Sequence, residues 1–299
     1  MTDLATDRNR FVTTPALSIL SIQSHVAYGH VGNASAVFPM QRLGCEVWPI
    51  HTVQFSNHTG YGAWRGRVFD GQMIDEVMEG IADRGVLPVC DGVLSGYVGS
   101  SDIGHAILSA VERVRRANPA AVYCCDPVLG DVGRGIFVRP GVPEFFRAQA
   151  LPMADIITPN HFELDFLAQS ESRTLADVRR ALLKVHALGP KVILTTSLIT
   201  DETPADSIDL VASAAGELWR VRSPRLHVSV NGAGDAIAAL FFVHWLRTRS
   251  APEALARAAS SIYGLLGQTA AAGSRELLSV AAQEEFVNPS TRFTAEKLL

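Results

Sequence analysis

Short apolar runs with no helical period alternate along this chain with stretches whose pattern suits a helix. Residues 16–22 are the first such run and predict a buried strand. The run ends at Gln23-Ser24-His25, and Gly29, Gly32 and a helix-like stretch over 34–43 follow. Strand, Gly-containing loop and helix open an α/β unit. A second strand over 46–51 runs on toward Val53-Gln54-Phe55. Further strands are predicted over 93–97, 121–125, 155–158 and 191–196, and helices over 75–83, 106–118, 161–168 and 174–188. Residues 201–209 are polar and poorly periodic, which predicts an exposed segment, and 217–221 reads as an edge strand. Two long helices, one reaching about Arg249 and one over 252–272, complete the series. No repeat or low-complexity linker interrupts it. The alternation predicts one α/β domain over 16–299, a doubly wound, mainly parallel central sheet with helices on both faces. A loose polar tail, residues 1–15, is expected before it.

In such a sheet a ligand sits outside the carboxyl ends of the strands. The polar residues with chemical potential fall after successive predicted strands: Ser24, His58, Thr59, Tyr97, Asp126, Asp131, Asn160, Glu163, Thr195 and Asp235. Several sit in Gly-rich loops, notably 56–62 and 129–135, where strand ends carry ligands.

Composition narrows the partners. A hydrophobic fraction of 47% in 299 residues supplies a large core. The net charge of −4, with no basic block, argues against a nucleic-acid binder. Arg113, Arg115 and Arg116, like Arg179 and Arg180, read as solvated helix faces. Cys45, Cys90, Cys124 and Cys125 form no CxxC pair, so structural thiols in a reducing cytoplasm are expected rather than zinc ligands. Neither a signal-peptide apolar region nor an apolar membrane span is present, and a soluble cytoplasmic protein is expected.

The chemistry centres on Val230-Asn231-Gly232-Ala233-Gly234-Asp235, followed at once by an apolar run over 236–245. Small residues let backbone N–H groups approach an anion, and the helix that follows adds partial positive charge. Asp235, in the first helical turn, is either a base or a helix cap. Phosphoryl transfer to an alcohol needs compensated charge, a positioned nucleophile and a base. The N–H groups of Gly232, Ala233 and Gly234 suit the first need and Asp235 the last. Asp126 and Glu163 are candidates for Mg²⁺, which prefers oxygen and keeps several waters. Equally, Asp126 can be a turn initiator before Pro127, and Glu163 a first-turn acid complementing the helix dipole. Asn160 and Thr158 both suit a helix cap. His25, His30 and His58 are too irregularly spaced for zinc, Ser24 lacks a nucleophile-elbow context, and no Walker signature is present.

With those residues in view, the chain resembles the pyridoxal kinases of the ribokinase-like superfamily over nearly its whole length after residue 15. The resemblance rests on Ser24-His25-Val26 with Gly32-Asn33, on 53–61, on Ser95-Gly96-Tyr97 and on 125–131. It continues through 155–160 with Glu163, Thr195-Thr196-Ser197 and Gly232-Ala233-Gly234-Asp235. It implies ATP-dependent phosphorylation of the 5′-hydroxyl of pyridoxal to pyridoxal 5′-phosphate, with Asp235 as base. Ser24 and Thr59 would hydrogen-bond the pyridine substituents, and Val31, Val53, Phe55, His58 and Tyr97 would line the ring pocket. Asp131, Asn160, Thr195, Thr196, Val228, Asn231 and Gly232 would surround the ATP, with Asp126 and Glu163 near its Mg²⁺. A monovalent cation such as K⁺ and a homodimer are implied by the same similarity. Two positions depart from it: Asn231 stands where many relatives carry Thr, and Phe137 where some carry tyrosine, in a shorter loop. A hydroxymethylpyrimidine kinase of thiamin metabolism and a non-catalytic protein binding B6 vitamers are the alternative readings.

Overall fold

The computed structural model describes residues 16–298, so the tail expected over 1–15 lies outside the described residues. The first strand, β1 (Ser18–Val26), pairs in parallel with β2 (Glu46–Phe55) on one side and β4 (Gly92–Ser95) on the other. Beyond β4 come β5 (Val122–Cys125), β8 (Ile156–Ile157) and β9 (Val192–Leu198), all parallel. Antiparallel strands finish both ends: β3 (Gly66–Val68) on β2, and β10 (Ser207–Ala214), β11 (Glu217–Pro224) and β12 (Glu296–Leu298) beyond β9. A separate two-stranded hairpin, β6 (Gly130–Asp131) with β7 (Gly135–Ile136), follows β5.

Successive strand residues point to opposite faces, so continuous apolar runs demand cover on both sides. Ile19, Val47, Leu94, Cys124 and Ile156 enter one core; Leu20, Ile50, Val93, Cys125 and Ile157 enter the other. The first core is closed by α1 (Asn33–Arg42), α8 (Ala233–Thr248), α9 (Ala251–Ala271) and α10 (Glu284–Val287), through Met40, Phe241, Leu255 and Phe286. The second is closed by α2 (Gly71–Ala82), α3 (Ser101–Ala117), α4 (Val142–Phe145), α5 (Leu151–Met153), α6 (His161–Ala168) and α7 (Leu175–His186). Helix α8 is apolar nearly all round because it lies under both α1 and α9.

The chain runs β1–α1–β2 in one direction, then returns to place β4 on the other flank of β1. Connections therefore diverge on opposite faces between β1 and β4, and a crevice opens there at the carboxyl ends. The predicted doubly wound, mainly parallel sheet is the one observed.

Several local expectations are corrected. Residues 201–209 are not simply exposed: Asp209 is fully buried in β10, where both its oxygens accept from Arg222 at 2.7 Å and Thr203 adds a hydroxyl. Strand β11 is not an edge, since β10 and β12 flank it. Strand β1 runs on through Ser24 and His25 because ladder pairing with β2 continues past the apolar run. Helices α2 and α3 start earlier than their apolar pattern, at caps made by Asp70 and Ser100. All four cysteines are buried and free, and burial pushes Cys45 and Cys90 up to about 11 and Cys125 up to about 12.

Candidate active site

The turn before α8 is built around Gly232, whose φ of +86° belongs to the left-handed region. A Cβ there would lie 1.7 Å from the carbonyl oxygen of His30, so only glycine fits between the turn and the β1–α1 loop. Ser35 donates its hydroxyl to the Gly232 carbonyl at 2.7 Å and fixes the turn from behind. At Gly234 the space a Cβ would enter is open to 4 Å, which leaves the backbone approachable. Asp235 sits in the first turn of α8 and lines the cavity, while the N-cap of that helix is Gly232, with no side-chain cap hydrogen bond. Burial raises its carboxyl to about 6, against the pull of N–H groups of Gly32 and of its own residue.

Two more acids face the same space. Asp126, immediately after β5, is buried and accepts the Thr158 hydroxyl at 2.9 Å. Burial, then the Glu163 and Asp235 carboxylates, push its pKa well above the usual carboxylate range. Glu163 closes a capping box on α6: Asn160 accepts the Glu163 N–H at 2.9 Å, and Glu163 accepts the Asn160 N–H at 2.8 Å. Its other oxygen takes the N–H groups of Leu129 at 2.8 Å and Gly130 at 3.4 Å, tying the β6–β7 hairpin to the helix start. Burial nevertheless holds Glu163 at about 7. Asn160 and Glu163 are thus caps and cavity walls at once. No three His, Cys, Asp or Glu side chains among the described residues converge as a metal cluster, and His25, His30 and His58 form none.

The opposite wall comes from β1, β2, β4 and their loops. Ser24, Val31, Val53, Phe55, His58, Thr59 and Tyr97 all line the cavity. Gly60 donates its N–H to His58 Nδ1 at 3.1 Å and orients the imidazole, while Trp64 packs on Phe55 with centroids 4.1 Å apart. Burial lowers the pKa of His58, aided by the charge of Arg134. One carboxylate from the segment after α9 binds this wall together: Glu276 accepts the Tyr61 hydroxyl and, at 3.1 Å, the His30 N–H.

On the remaining wall Asp131, Asn160, Thr196, Asn231 and Gly232 line the cavity, with Ala233 and Gly234 beside them. Thr195 and Val228 are not among the lining residues; Thr195 is fully buried in β9 with its hydroxyl unpartnered. The structure adds Val26, Val128, Ser197, Val230, Arg134 and Phe137 to the lining. Arg134 carried one signal in the sequence, being a lone cation inside a Gly-rich loop. The cavity encloses about 440 Å³, room for a ring and a phosphate chain side by side.

Residues 66–278 match the family model described as phosphomethylpyrimidine kinase. The chain is 62% identical over 285 residues to the pyridoxal kinase PdxY of Granulibacter bethesdensis, covering 94% of this chain and 99% of that protein. It is 55% identical to the pyridoxal kinase PdxY of Deinococcus radiodurans, over 95% and 98% of the two chains. Among solved structures, the pyridoxal kinase of Leishmania donovani in complex with ADP and pyridoxine superposes with a TM-score of 0.87 at 30% identity, covering 94% of this chain and 99% of that one. On that similarity, across nearly its full length and on a sheet of the ribokinase-like type, the chain belongs to the pyridoxal kinase family.

Proposed function

We propose that this chain transfers the γ-phosphoryl group of ATP to the 5′-hydroxyl of pyridoxal, giving pyridoxal 5′-phosphate and ADP. The observation that carries the reading is one cavity lined by a ring wall, a backbone anion turn and Asp235, whose carboxyl burial raises to about 6. Ser24 and Thr59 hydrogen-bond the ring substituents, and Val31, Val53, Phe55, His58 and Tyr97 hold its faces. The 5′-hydroxyl lies against Asp235, which accepts its proton as the oxygen–phosphorus bond forms and the bond to ADP breaks. N–H groups of Gly232, Ala233 and Gly234 stabilise the charge on the transferring group. Asp131, Asn160, Thr196 and Asn231 face the nucleotide, whereas Thr195 and Val228 lie outside the cavity lining.

Asp126 and Glu163 suit a Mg²⁺ ion shared with the nucleotide. Burial and a neighbouring carboxylate raise the cost of ionising each, Glu163 beside Asp126 and Asp131 beside Glu163, so a hard cation nearby relieves both, and two carboxylates leave most of its shell to phosphate and water. When bound, that ion would neutralise phosphate charge. A K⁺ ion and a homodimer are part of the same proposal and rest on family resemblance. Cytoplasmic residence is supported by four free, buried thiols. No helix among the described residues is long and apolar enough to cross a membrane.

ATP consumption measured with pyridoxal, pyridoxine, pyridoxamine and hydroxymethylpyrimidine tests the reading. A higher kcat/KM for the pyrimidine would replace pyridoxal as the substrate, and tight binding without ATP consumption would make the chain a vitamin-binding protein. Asp235→Asn should cut kcat by about 10²–10⁴-fold while leaving pyridoxal binding within a few-fold. The wild-type rate should fall as pH drops through about 6, where Asp235 takes up its proton.

A further inference from the structure

The cavity is lined by four carboxylates, those of Asp126, Asp131, Glu163 and Asp235, and by one permanently charged cation, Arg134. Under the reading above it must also accept a triphosphate. The three backbone N–H groups of the anion turn offset part of that charge, and Asp126 and Glu163 call for a cation of their own. Arg134 occupies the turn of the β6–β7 hairpin, where its N–H donates to the Asp131 carbonyl at 3.1 Å. Its side chain is exposed, and its guanidinium makes no ion pair or hydrogen bond among the described residues. It rests 5.5 Å from the centroid of Phe137, itself 48% exposed at the far end of the hairpin. An arginine that stabilises the fold normally reaches a carboxylate; this one is held over a ring at the mouth of a cavity. Arg134 and His58 line the same cavity, and the charge of Arg134 adds to burial in lowering the pKa of His58.

We infer that Arg134 is the phosphate-binding cation of this site, contacting the phosphates of the nucleotide from the hairpin while Phe137 serves as its platform. The chemistry fits: a guanidinium offers paired N–H donors to phosphate oxygens and keeps its charge at every working pH. A cation that tracks the developing charge of phosphoryl transfer acts on the rate more than on ground-state binding. The inference rests on the kinase reading, and its test separates the two.

Arg134→Ala and Arg134→Lys would be made in the full chain, and equilibrium titrations with the non-hydrolysable analogue AMP-PNP and with adenosine would be paired with steady-state rates. Arg134→Ala should weaken AMP-PNP binding about 10-fold while leaving adenosine binding unchanged. It should lower kcat about 100-fold, with the KM for pyridoxal within about 3-fold. Arg134→Lys should recover part of the AMP-PNP affinity and most of the rate, because the charge returns without the fork. Equal losses for AMP-PNP and adenosine, or AMP-PNP binding and kcat both within about 2-fold of wild type, would overturn the inference. If the intact chain phosphorylates no B6 vitamer, the substrate reading fails, and the AMP-PNP titration still decides the role of Arg134.

Discussion

Asp126 illustrates how a single residue sets activity against stability. It is buried beside two other acids with only the Thr158 hydroxyl to compensate it, so its charge is a net cost to the empty fold. Replacing it with Asn keeps an oxygen for Thr158 and removes the repulsion. Asp126→Asn should therefore raise Tm at pH 8 by about 2–4 °C, the equivalent of about 1 kcal/mol, while largely abolishing phosphorylation. The sign of the pH dependence follows from the same group of acids. Glu163 near 7 and Asp235 near 6 hold their protons more tightly folded than unfolded. Their contribution to stability is complete below the ordinary carboxylate range and is lost as pH rises through 6 to 7. Calorimetry should find this cluster favouring pH 5.5 over pH 8, and the Asp126→Asn chain should show a shallower slope. An unchanged slope with an unchanged Tm would show that the carboxylates are already compensated.

At the scale of elements, the ring wall is a set of loops joined by Glu276 rather than a rigid strand end. Glu276 holds the β1–α1 loop at His30 and the 56–62 loop at Tyr61, and it packs so closely on Gly29 that a Cβ there would lie 2.5 Å from the carboxylate. Gly29 has φ +92°, so glycine is needed on two counts. Arg275 lies over the Tyr61 ring with 5.3 Å to the centroid. Glu276→Ala and Tyr61→Phe should each speed hydrogen exchange in 56–62 and raise the KM for pyridoxal, and the double variant should be little worse than either single one. Additive effects would mean that the two residues act separately. This clasp was not legible in the sequence, because its partners stand 215 positions apart and Glu276, unlike Tyr61, belongs to no recognised motif. The anion turn was legible, since its small residues, acid and helix are contiguous. Arg134 lay between these cases: its loop was recognised, but only the fold shows that the hairpin carries it to the cavity.

The whole molecule was read best where the pattern was simple. Apolar runs buried on both faces marked the parallel strands, and the gathering of polar residues at their carboxyl ends placed the crevice. The antiparallel end was read poorly. Strand β10 begins Ser207-Ile208-Asp209, where the burial of Asp209 depends on its pair with Arg222, and β12 comes from the far end of the chain. Short-range pattern holds no record of either partnership. Thr195 shows the same limit at one position: a hydroxyl at a strand end suggests a ligand contact, yet Thr195 is fully buried, and Thr196 is the one that lines the cavity.

The buried cysteines have an experimental consequence. Cys45, Cys90, Cys124 and Cys125 are sealed in the two cores with their thiols held protonated well above neutral pH. A thiol reagent such as DTNB should find none of them in the native chain and all four after denaturation. That silence makes the natural chain a blank background for labelling. A cysteine introduced at Val132, which is 69% exposed in the hairpin next to Asp131, would then be the one reactive thiol among the described residues. A fluorophore attached there would report hairpin movement as nucleotide binds, with no native thiol to remove first.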